Sequence, residues 1–374
     1  MLARQKEVVE SLATQISQIA NIKMDIRRKL EELNQLKNVN ELIQRRGYPT
    51  TVGVDGSYGI IRHLSLDTVG LAAVAVEGLV PPRETRLWQK PQHIVRILPV
   101  KHHADTQRLC RAIMFSYELE LATKAPHTVV FMDGSLTSQL IGMGQGLSAI
   151  QTAPVSVGES VPEELCKEVS VRLEITLRNY LTVLTSPRTD RLYVGVPKYS
   201  SKSEVIKLLQ RNGFKHQILE TSNDKGLLSV SLKAGDVVGP VGLQQPESPW
   251  HLSGLPKGLE NLRDEITGAL AKLRVLYFKP SSGHPALRIE VGEDVVRNKY
   301  KLSTLFDSLQ AQAGIHGILE PYPLYVADVF VKHAYSALME LKEAALTDVD
   351  KIAGSEFPDV FLSLQDYRTE GGYD

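Results

Sequence analysis

The chain has few cysteines and no excess of charge of either sign. Among its 374 residues there are two cysteines, Cys110 and Cys166, and no spacing of Cys and His that is typical of a metal site. Both lie in helix-like stretches, and we expect free thiols that suit a reducing cytosol. Lys plus Arg equals Asp plus Glu at 43 each, so no overall basic charge indicates a nucleic-acid partner.

Long hydrophobic runs are also absent. No apolar run approaches the roughly 18 residues of a membrane-spanning helix, and the first twelve residues are too polar for a secretory signal. Hydrophobic residues make up 43% of the chain, which is ordinary for a globular protein. We therefore expect a soluble protein of the cytoplasm.

Proline and glycine are missing from the first 46 residues. Helix formers fill this stretch, and Leu12, Ile19, Ile26 and Leu33 recur at intervals of seven. The pattern predicts a long, coiled-coil-like helical arm that ends at residues 47–49, where Gly and Pro appear. Two interpretations stay open: the apolar seam packs on the protein's own body, or it crosses to a second subunit or partner.

The rest of the chain alternates predicted strands and helices. Strands are predicted at 50–54, 60–66, 68–77, 93–98, 128–132, 191–196, 237–241, 273–279 and 286–291, and helices at 105–124, 163–184, 204–211, 259–271 and 300–313. This alternation predicts an α/β fold. We divide the chain into an arm at 1–47, an α/β domain at 48–346 with a variable insertion at 213–258, and a polar tail at 347–374.

Two short apolar segments each deliver one aspartate to a Gly-Ser pair. TVGVDGSYG contains Asp55, and TVVFMDGSL contains Asp133. Asp-Gly is also a strong hairpin signal. Strand-like sequence follows Asp55, so for this residue alone a hairpin turn and a functional role are equally open. For Asp133 the following SLTSQLIGMG does not alternate as a returning strand would. Two aspartates in the same setting favour one shared site at the ends of neighbouring strands.

The helix before the second aspartate carries Glu118 and Glu120. The order of strand aspartate, antiparallel meander, helix glutamate and strand aspartate is that of the ribonuclease H-like fold. In that fold the carboxylates bind two divalent ions that activate water and stabilise the leaving oxygen in phosphodiester hydrolysis. Oxygen ligands favour Mg²⁺ or Mn²⁺. A further ligand or proton carrier would come from a late helix, where Asp328 and His333 are the candidates.

A glycine-rich segment, GMGQG at 142–146, is interpreted as a plain mobile loop. It lacks the Lys-Ser/Thr of a phosphate-binding P-loop and does not open a convincing helix. Actin-like and sugar-kinase-like ATPases share the ribonuclease H-like fold, but they need glycine-rich phosphate loops in both halves. An ATPase is therefore one alternative function, and a catalytically inert adaptor that docks a DNA translocase is another.

Five segments, spread in order over residues 50–340, resemble the NurA nucleases. They are VGVDGSYG, FSYELELATKA, VVFMDGSL, VGVPKYSSKS and YPLYVADVFVKHA. The resemblance implies a ribonuclease H-like mixed sheet flanked by helices, related to PIWI-type proteins. It also implies a manganese-dependent single-strand endonuclease and 5′-to-3′ exonuclease. Such a nuclease would work as a homodimer with the hexameric HerA translocase in DNA end resection and double-strand break repair.

The resemblance also implies roles for particular residues. The expected catalytic residues are Asp55, Glu118, Asp133, Tyr325 and His333, and all of these except Tyr325 would be ligands of two Mn²⁺ or Mg²⁺ ions. Glu120 is the alternative to Glu118, and Asp328 is the alternative to His333. Lys198 matches a basic position where a phosphate contact is the natural role. Substrate contacts are expected from Lys198, Ser57 and Ser135.

Overall fold

A computed structural model describes residues 2–44, 48–79, 86–152, 162–245 and 255–333, with positions 337 and 340 beyond them. The strands are β1 (Leu36–Asn38), β2 (Thr51–Arg62), β3 (Asp67–Glu77), β4 (Gln92–Val100), β5 (Val129–Asp133), β6 (Leu192–Val196), β7 (Asp236–Gly242), β8 (Arg274–Phe278) and β9 (Leu287–Val291). The predicted tail at 347–374 lies outside the described residues.

The helices surround these strands. They are α1 (Leu2–Glu32), α2 (Val39–Leu42), α3 (Thr106–Lys124), α4 (Leu136–Thr152), α5 (Glu163–Thr185), α6 (Glu204–Arg211), α7 (Ile218–Thr221), α8 (Asp224–Ser231), α9 (Glu260–Ala271), α10 (Glu293–Arg297), α11 (Lys299–Gln312) and α12 at 322–333. None of the helices in the described part of the chain combines the length and apolarity needed to cross a membrane.

One mixed sheet organises the fold, with the strand order β1-β7-β8-β9-β6-β5-β2-β3-β4. Strands β2, β3 and β4 form an antiparallel meander, and β5 and β6 run parallel to β2. This part has the order expected for a ribonuclease H-like core. Beyond β6, the antiparallel strands β9, β8, β7 and β1 extend the sheet. The prediction of a mixed α/β sheet flanked by helices is confirmed.

Helices cover both faces of the sheet, and the alternation of side chains along the strands shows this most clearly in β5. Val130 and Met132 point into one core, which α3, α4 and α5 cover. Val129 and Phe131 point into a second core, on the face covered by α11. Because both faces are buried, the central strands are continuous apolar runs.

Asp55 and Gly56 do not form a turn. Strand β2 continues to Arg62, and within it Asp55 lies opposite Val74 of β3. The prediction of separate strands at 50–54 and 60–66 is therefore wrong, and the hairpin interpretation of Asp55 falls with it. The ladder to β3 satisfies the backbone on one side of β2, which makes a straight continuation more favourable than a turn.

The first helix packs on the protein's own body through its second half. Ile19, Ile22, Ile26 and Leu30 are buried in the main core, where α1 lies against α8. Val9 and Ile16, earlier on the helix, are 63% and 57% exposed. After α1 the chain does not stay helical but forms β1 at the edge of the sheet. The division of the chain at residue 47 stays a prediction, although a sheet strand precedes it.

The segment at 213–258, predicted to be a variable insertion, contributes structure to the core in its described part. It contains α7, α8 and β7, and β7 lies inside the sheet between β1 and β8. Leu227 and Leu228 of α8 are fully buried. The strand predicted at Val237–Val241 is present within β7.

The GMGQG segment lies inside helix α4, so its interpretation as a loop is wrong. A Cβ added at Gly142 would lie 2.3 Å from Cε2 of Phe115, and one at Gly146 would lie 2.5 Å from Cβ of Ala112. Each glycine costs about 1 kcal/mol of helix propensity relative to alanine. Close packing of α4 on α3 offsets that cost, and this packing is invisible to local propensity.

Candidate metal centre

Two neighbouring parallel strands hold the two aspartates side by side. The register pairs Val54 of β2 with Met132 of β5, so Asp55 and Asp133 are the next residues on each strand. Asp55 is buried within β2, and Asp133 is the last residue of β5. Gly134 then takes a φ of +78°, which turns the chain into α4. The strand pairing therefore places the two aspartates next to each other on neighbouring strands, as one shared site requires.

Helix α3 brings Glu118 to the same place. Its side chain is 3% exposed and lies over Gly56, where an added Cβ would be 2.5 Å from Glu118 Oε1. A residue larger than glycine at this position of β2 would displace the carboxylate. Glu120 lies on a different side of α3, where it forms ion pairs with Arg172 of α5 and with Lys124. Of the two candidates, the structure therefore places Glu118 beside the aspartates.

Lys198, in the loop after β6, joins further carboxylates to the site. Its Nζ lies 2.8 Å from Asp328 Oδ1, 3.5 Å from Glu320 Oε2 and 3.6 Å from Asp133 Oδ2. Asp328 comes from α12, and Glu320 from the turn that precedes that helix. We use the name acidic cluster for Asp55, Glu118, Asp133, Glu320 and Asp328 around Lys198.

Helix α12 can reach the cluster because it approaches β2 closely. A Cβ added at Gly53 would lie 2.3 Å from the backbone carbon of Pro323, so only glycine fits at this position. Ala327 and Val331 of α12 pack on Val74 and Val76 of β3. The late helix is thereby fixed against the meander with Asp328 turned toward Lys198.

Burial and mutual repulsion shift the pKa values of the buried carboxyls. Burial raises the pKa of Asp55 to about 8, and the charge of Asp133 adds to this, while Lys198 opposes it. Burial, followed by Asp55 and Asp133, raises the pKa of Glu118 well above its usual value. Burial also raises the pKa of Glu320 to about 7, against the effect of Lys198. The site therefore holds more acidic groups than its own cation can neutralise.

The outer carboxyls respond more strongly to the two lysines. Burial raises the pKa of Asp133, and Lys198 opposes that shift. For Asp328 burial is outweighed by hydrogen bonds from Lys198 and Lys332, so the pKa of this carboxyl is lowered. Burial disfavours the charged form of Lys198, but Asp133 and Asp328 more than compensate and raise its pKa. Lys198 is therefore an ammonium ion held among carboxylates.

The residues of the acidic cluster fit a divalent cation in number and chemistry. Asp133 Oδ1 and Glu320 Oε2 are buried oxygens without a hydrogen-bond partner in the described structure. Mg²⁺ and Mn²⁺ prefer oxygen ligands, and within the described part of the chain these two oxygens are not occupied by a hydrogen bond. Among the described residues, however, no three His, Cys, Asp or Glu side chains are already arranged to hold an ion. In the present arrangement the ammonium of Lys198 supplies positive charge where the carboxylates converge.

His333 and Tyr325 are placed differently from the cluster. The exposed ring of His333 donates a hydrogen bond from Nδ1 to the Val329 carbonyl, 2.7 Å away and one turn earlier in α12. The structure thus brings Asp328 into the cluster and leaves His333 outside it. Tyr325 is 40% exposed and borders a cleft beside Lys198.

The two predicted substrate serines also differ from each other. Ser57 is half-buried on β2, two residues after Asp55 and therefore on the same face of the strand. Ser135 donates a hydrogen bond to Glu290 Oε2 at 2.7 Å, and the Leu136 N–H donates to the same oxygen at 3.0 Å. Ser135 therefore fixes the start of α4, and its hydroxyl is engaged within the fold.

Glu320 is the cluster member that sequence reasoning did not single out. It lies in EPYPLYVADVFVKHA, where the motif indicates Tyr325, Asp328 and His333 as site residues and not Glu320. Its one local signal is an acidic residue directly before Pro321 at the start of a helix. That signal is as typical of a simple helix start as of a ligand, so the contact with Lys198 could be found only in three dimensions.

The strand order, with Asp55 buried within β2 and Asp133 at the end of the neighbouring strand β5, defines a protein of the ribonuclease H-like class. The family model of the NurA domain matches residues 49–332. The chain therefore belongs to the NurA family, as its five motifs indicate. No curated protein is significantly similar in sequence.

Solved structures of the same family share the fold. The NurA nuclease from Sulfolobus solfataricus is 15% identical, with a TM-score of 0.58, and the match covers 93% of this chain and 98% of that one. A NurA bound to dAMP and manganese is 13% identical, with a TM-score of 0.55, and the match covers 88% of this chain and 94% of that one. At such low identities the likeness shows the fold alone.

Proposed function

We propose that this chain is a manganese-dependent DNA nuclease, a single-strand endonuclease and 5′-to-3′ exonuclease that hydrolyses phosphodiester bonds. The observation that carries the proposal is the convergence of Asp133, Glu320 and Asp328 on Lys198, beside the buried Asp55 and Glu118. Membership of the NurA family supports the proposal, and so does the manganese and dAMP in a structure with the same fold.

The carboxylates would hold two Mn²⁺ or Mg²⁺ ions. Asp55, Glu118 and Asp133 are the proposed ligands, and Asp328 joins them in place of His333 on the evidence of its position. When bound, such ions activate water and stabilise the leaving oxygen of the phosphodiester. Burial raises the pKa values of Asp55 and Glu118, and a carboxyl must lose its proton to bind a cation, so cation binding would release protons from the site.

Lys198 is the proposed phosphate contact. Its ammonium lies in the middle of the cluster, and two carboxylates raise its pKa, so it stays charged throughout the physiological range. An ammonium ion is a compact charge that can move on a flexible stem. Once the carboxylates have a metal counter-ion, the side chain of Lys198 is free to bind a phosphate oxygen. Ser57, Tyr325 and His333 stay predicted contributors around this centre.

The partners belong to the proposal as well. We infer a homodimer that acts with a HerA-type hexameric translocase in DNA end resection and double-strand break repair. Equal numbers of basic and acidic residues suit DNA that reaches the site through a dimer channel or from a partner. Exposed Val9 and Ile16 on α1 offer an apolar contact surface for such an assembly. The free thiols Cys110 and Cys166 suit the cytoplasm.

Cleavage of single-stranded DNA with Mn²⁺ tests the proposal. Replacement of Asp55 and Asp133 together by Asn should abolish cleavage, and Glu118→Gln alone should slow it on the order of 100-fold, as expected when one preorganised electrostatic group is lost. The matched control is Glu120→Gln, two residues away on α3, which removes an ion pair with Arg172 but no cluster member. Cleavage that survives in the Asp55 and Asp133 double variant would refute the proposal.

The alternative functions have less support. A phosphate-binding loop at GMGQG is contradicted, because these residues are in the interior of α4. ATP hydrolysis in the absence of DNA would nevertheless reveal an ATPase. A catalytically inert adaptor would bind its translocase and show no metal-dependent cleavage, so the same assay separates it from the nuclease.

A further inference from the structure

An open cleft of about 590 Å³ adjoins the acidic cluster. Its walls come from the loop after β6, the start of α8, the turn before α12 and α12 itself. The side chains that matter for its chemistry are Lys198, Tyr199, Lys225, Leu319, Tyr325 and Lys332. Lys198, Glu320 and Asp328 belong both to the cleft and to the acidic cluster, so a molecule in the cleft lies next to the proposed metal centre.

The cleft exposes aromatic and apolar surface. Tyr199 is 93% exposed, Leu319 is 61% exposed and Tyr325 is 40% exposed. The ring of Tyr199 is so exposed that it contributes almost nothing to the core. The stability of the fold therefore gives no reason for a tyrosine at this position. A flat aromatic ring beside a basic pocket is a typical surface for stacking a nucleic-acid base, since every base has a π-face.

The lysines hold this surface in position and give it positive charge. Lys225 Nζ donates hydrogen bonds to the Lys198 and Pro197 carbonyls at 2.5 and 3.4 Å, which fixes the loop that carries Lys198 and Tyr199. Lys332, with its side chain 70% exposed, stands at the rim and donates to Asp328 Oδ2 at 2.6 Å. A phosphodiester that enters the cleft therefore meets the ammonium groups of Lys198, Lys225 and Lys332 next to the acidic cluster.

We propose that this cleft binds the base of an unpaired nucleotide next to the scissile phosphate, with the ring of Tyr199 as the stacking platform. The inference deepens the proposed function and rests on it, because it places a subsite for single-stranded nucleic acid beside the same centre. A base inside a duplex is covered by its neighbours and cannot present a face to Tyr199. The subsite therefore favours single strands without favouring any base.

Equilibrium binding without cleavage tests this subsite. A fluorescein-labelled oligothymidylate is titrated with the full chain in the presence of a chelator, and fluorescence anisotropy gives Kd. Tyr199→Ala should weaken binding by about 5- to 150-fold, the equivalent of about 1–3 kcal/mol for one stacked base. Tyr199→Phe keeps the ring and should bind like the wild type. Tyr300→Ala removes a tyrosine that is 68% exposed but does not line the cleft, and it should also bind like the wild type.

An abasic oligonucleotide of the same length separates stacking from charge. The wild type should bind it more weakly than oligothymidylate, whereas Tyr199→Ala should bind the two equally. Equal affinity of Tyr199→Ala and the wild type for oligothymidylate would overturn the subsite, and so would failure of the wild type to bind it. If the wild type cleaves DNA with Mn²⁺ but Tyr199→Ala binds oligothymidylate as tightly as the wild type, only the subsite is refuted. If Tyr199→Ala binds more weakly but the wild type does not cleave, the proposed nuclease activity is refuted and the subsite stands.

Discussion

At the scale of residues, Lys198 is the group that decides the state of the acidic cluster. It contacts three carboxylates at 2.8–3.6 Å, one at the end of β5 and two from α12 and the turn before it. A divalent ion at this point would have to replace the ammonium, because both neutralise the same oxygens. In the proposed function, Lys198 would thus compete with a metal for these oxygens, and it would be available to a phosphate when a metal neutralises the carboxylates in its place.

Replacement of Lys198 by Met should raise Mn²⁺ affinity while it lowers cleavage. Without the ammonium of Lys198, these carboxylates lose the cation that they share. We therefore expect Mn²⁺ to bind the variant about tenfold more tightly than the wild type, or by about 1.4 kcal/mol. Isothermal titration calorimetry measures the affinity. Lys332→Met is the matched control, because its exposed ion pair with Asp328 contributes little. Mn²⁺ binding that is unchanged or weaker in Lys198→Met would show that the ammonium does not compete.

Replacement of Asp55 by Asn should flatten the pH dependence of stability in the metal-free protein. Burial, with Asp133 adding to it, raises the pKa of Asp55 from 3.8 to about 8 on folding. Its protonated form therefore stabilises the fold fully below pH 3.8, and this contribution is lost as the pH rises through about 8. At about pH 9 the Asn variant should have a free energy of unfolding higher by about 1–3 kcal/mol.

Urea denaturation in a chelating buffer, repeated from about pH 6 to about pH 9, measures this difference. Asp190, an exposed carboxyl paired with Arg188, provides the matched control, since Asp190→Asn removes a carboxyl outside the cluster. Equal losses of stability with rising pH in the wild type and in Asp55→Asn would contradict the prediction.

At the scale of elements, close approach at glycines determines where the helices lie. Because glycine has no side chain, Gly53 leaves room for the start of α12, and Gly56 leaves room for Glu118 of α3. In the same way, Gly146 of α4 leaves room for Ala112 of α3. In each case the neighbouring element occupies the space that a Cβ would need. The contacts at Gly53 and Gly56 bring α12 and α3 near enough to β2 for their carboxylates to meet.

Replacement of Gly146 by Ala should destabilise the protein, although alanine is the better helix former. The new Cβ would lie 2.5 Å from Cβ of Ala112, whose short side chain cannot move aside, and overpacking of this kind costs about 1–3 kcal/mol. Gly268→Ala is the matched control: it lies within α9 with nothing near its Cβ, and it should stabilise by about 0.5–1 kcal/mol. Denaturant unfolding measures both, and a stabilising Gly146→Ala would exclude close packing of α3 and α4.

A buried ion network also connects elements. Arg288 of β9 is 1% exposed and donates to Glu204 at 2.7 and 2.9 Å and to Glu290 at 2.9 Å. Glu290 in turn accepts from Ser135 and from the Leu136 N–H at the start of α4. The network therefore supports the turn that follows Asp133, and it explains why β9 carries charged residues although it is buried.

At the scale of the whole molecule, one sheet joins the ribonuclease H-like strands to the strands that follow them and to β1 before them. The acidic cluster lies where β2, β5, the loop after β6 and α12 meet, so residues from 55 to 328 must fold together before it exists. Helix α1 is anchored to this body by its second half, and its first half carries exposed Val9 and Ile16. These two residues are seven apart and so share one face of the helix.

Replacement of Val9 and Ile16 together by Glu should prevent self-association without unfolding the chain. Both side chains are more than half exposed, so the fold loses little, whereas an apolar contact between two copies would have to bury two charges. Light scattering coupled to gel filtration measures the mass, and circular dichroism checks the fold. Gln18→Glu, also exposed on α1, is the matched control. A double variant that keeps the oligomeric mass of the wild type would show that assembly uses another surface.

Local patterns predicted most elements well and failed where a neighbour decided the outcome. The 3.6-residue periodicity correctly predicted α3, α5 and α11, and the bounds of α6 agree to the residue. Two of the failures were the break between the strands predicted at 50–54 and 60–66 and the loop predicted at GMGQG. In both places glycine was interpreted as a chain breaker, whereas the fold uses its missing side chain to bring another element close. Local sequence holds no information about that neighbour.

By itself the sequence determined most of the strand and helix segments, the family and the pair of aspartates that end up on neighbouring strands. These follow from periodicity, from the short-range chemistry of Asp-Gly-Ser and from motifs that stand in order along the chain. Only the tertiary structure decided that Glu118 and not Glu120 faces the aspartates, that Asp328 and not His333 joins them, and that Glu320 belongs to the cluster. The physical reason is that a helix turns by 100° per residue, so the packing rotation of α3 and α12 selects which carboxylate points inward.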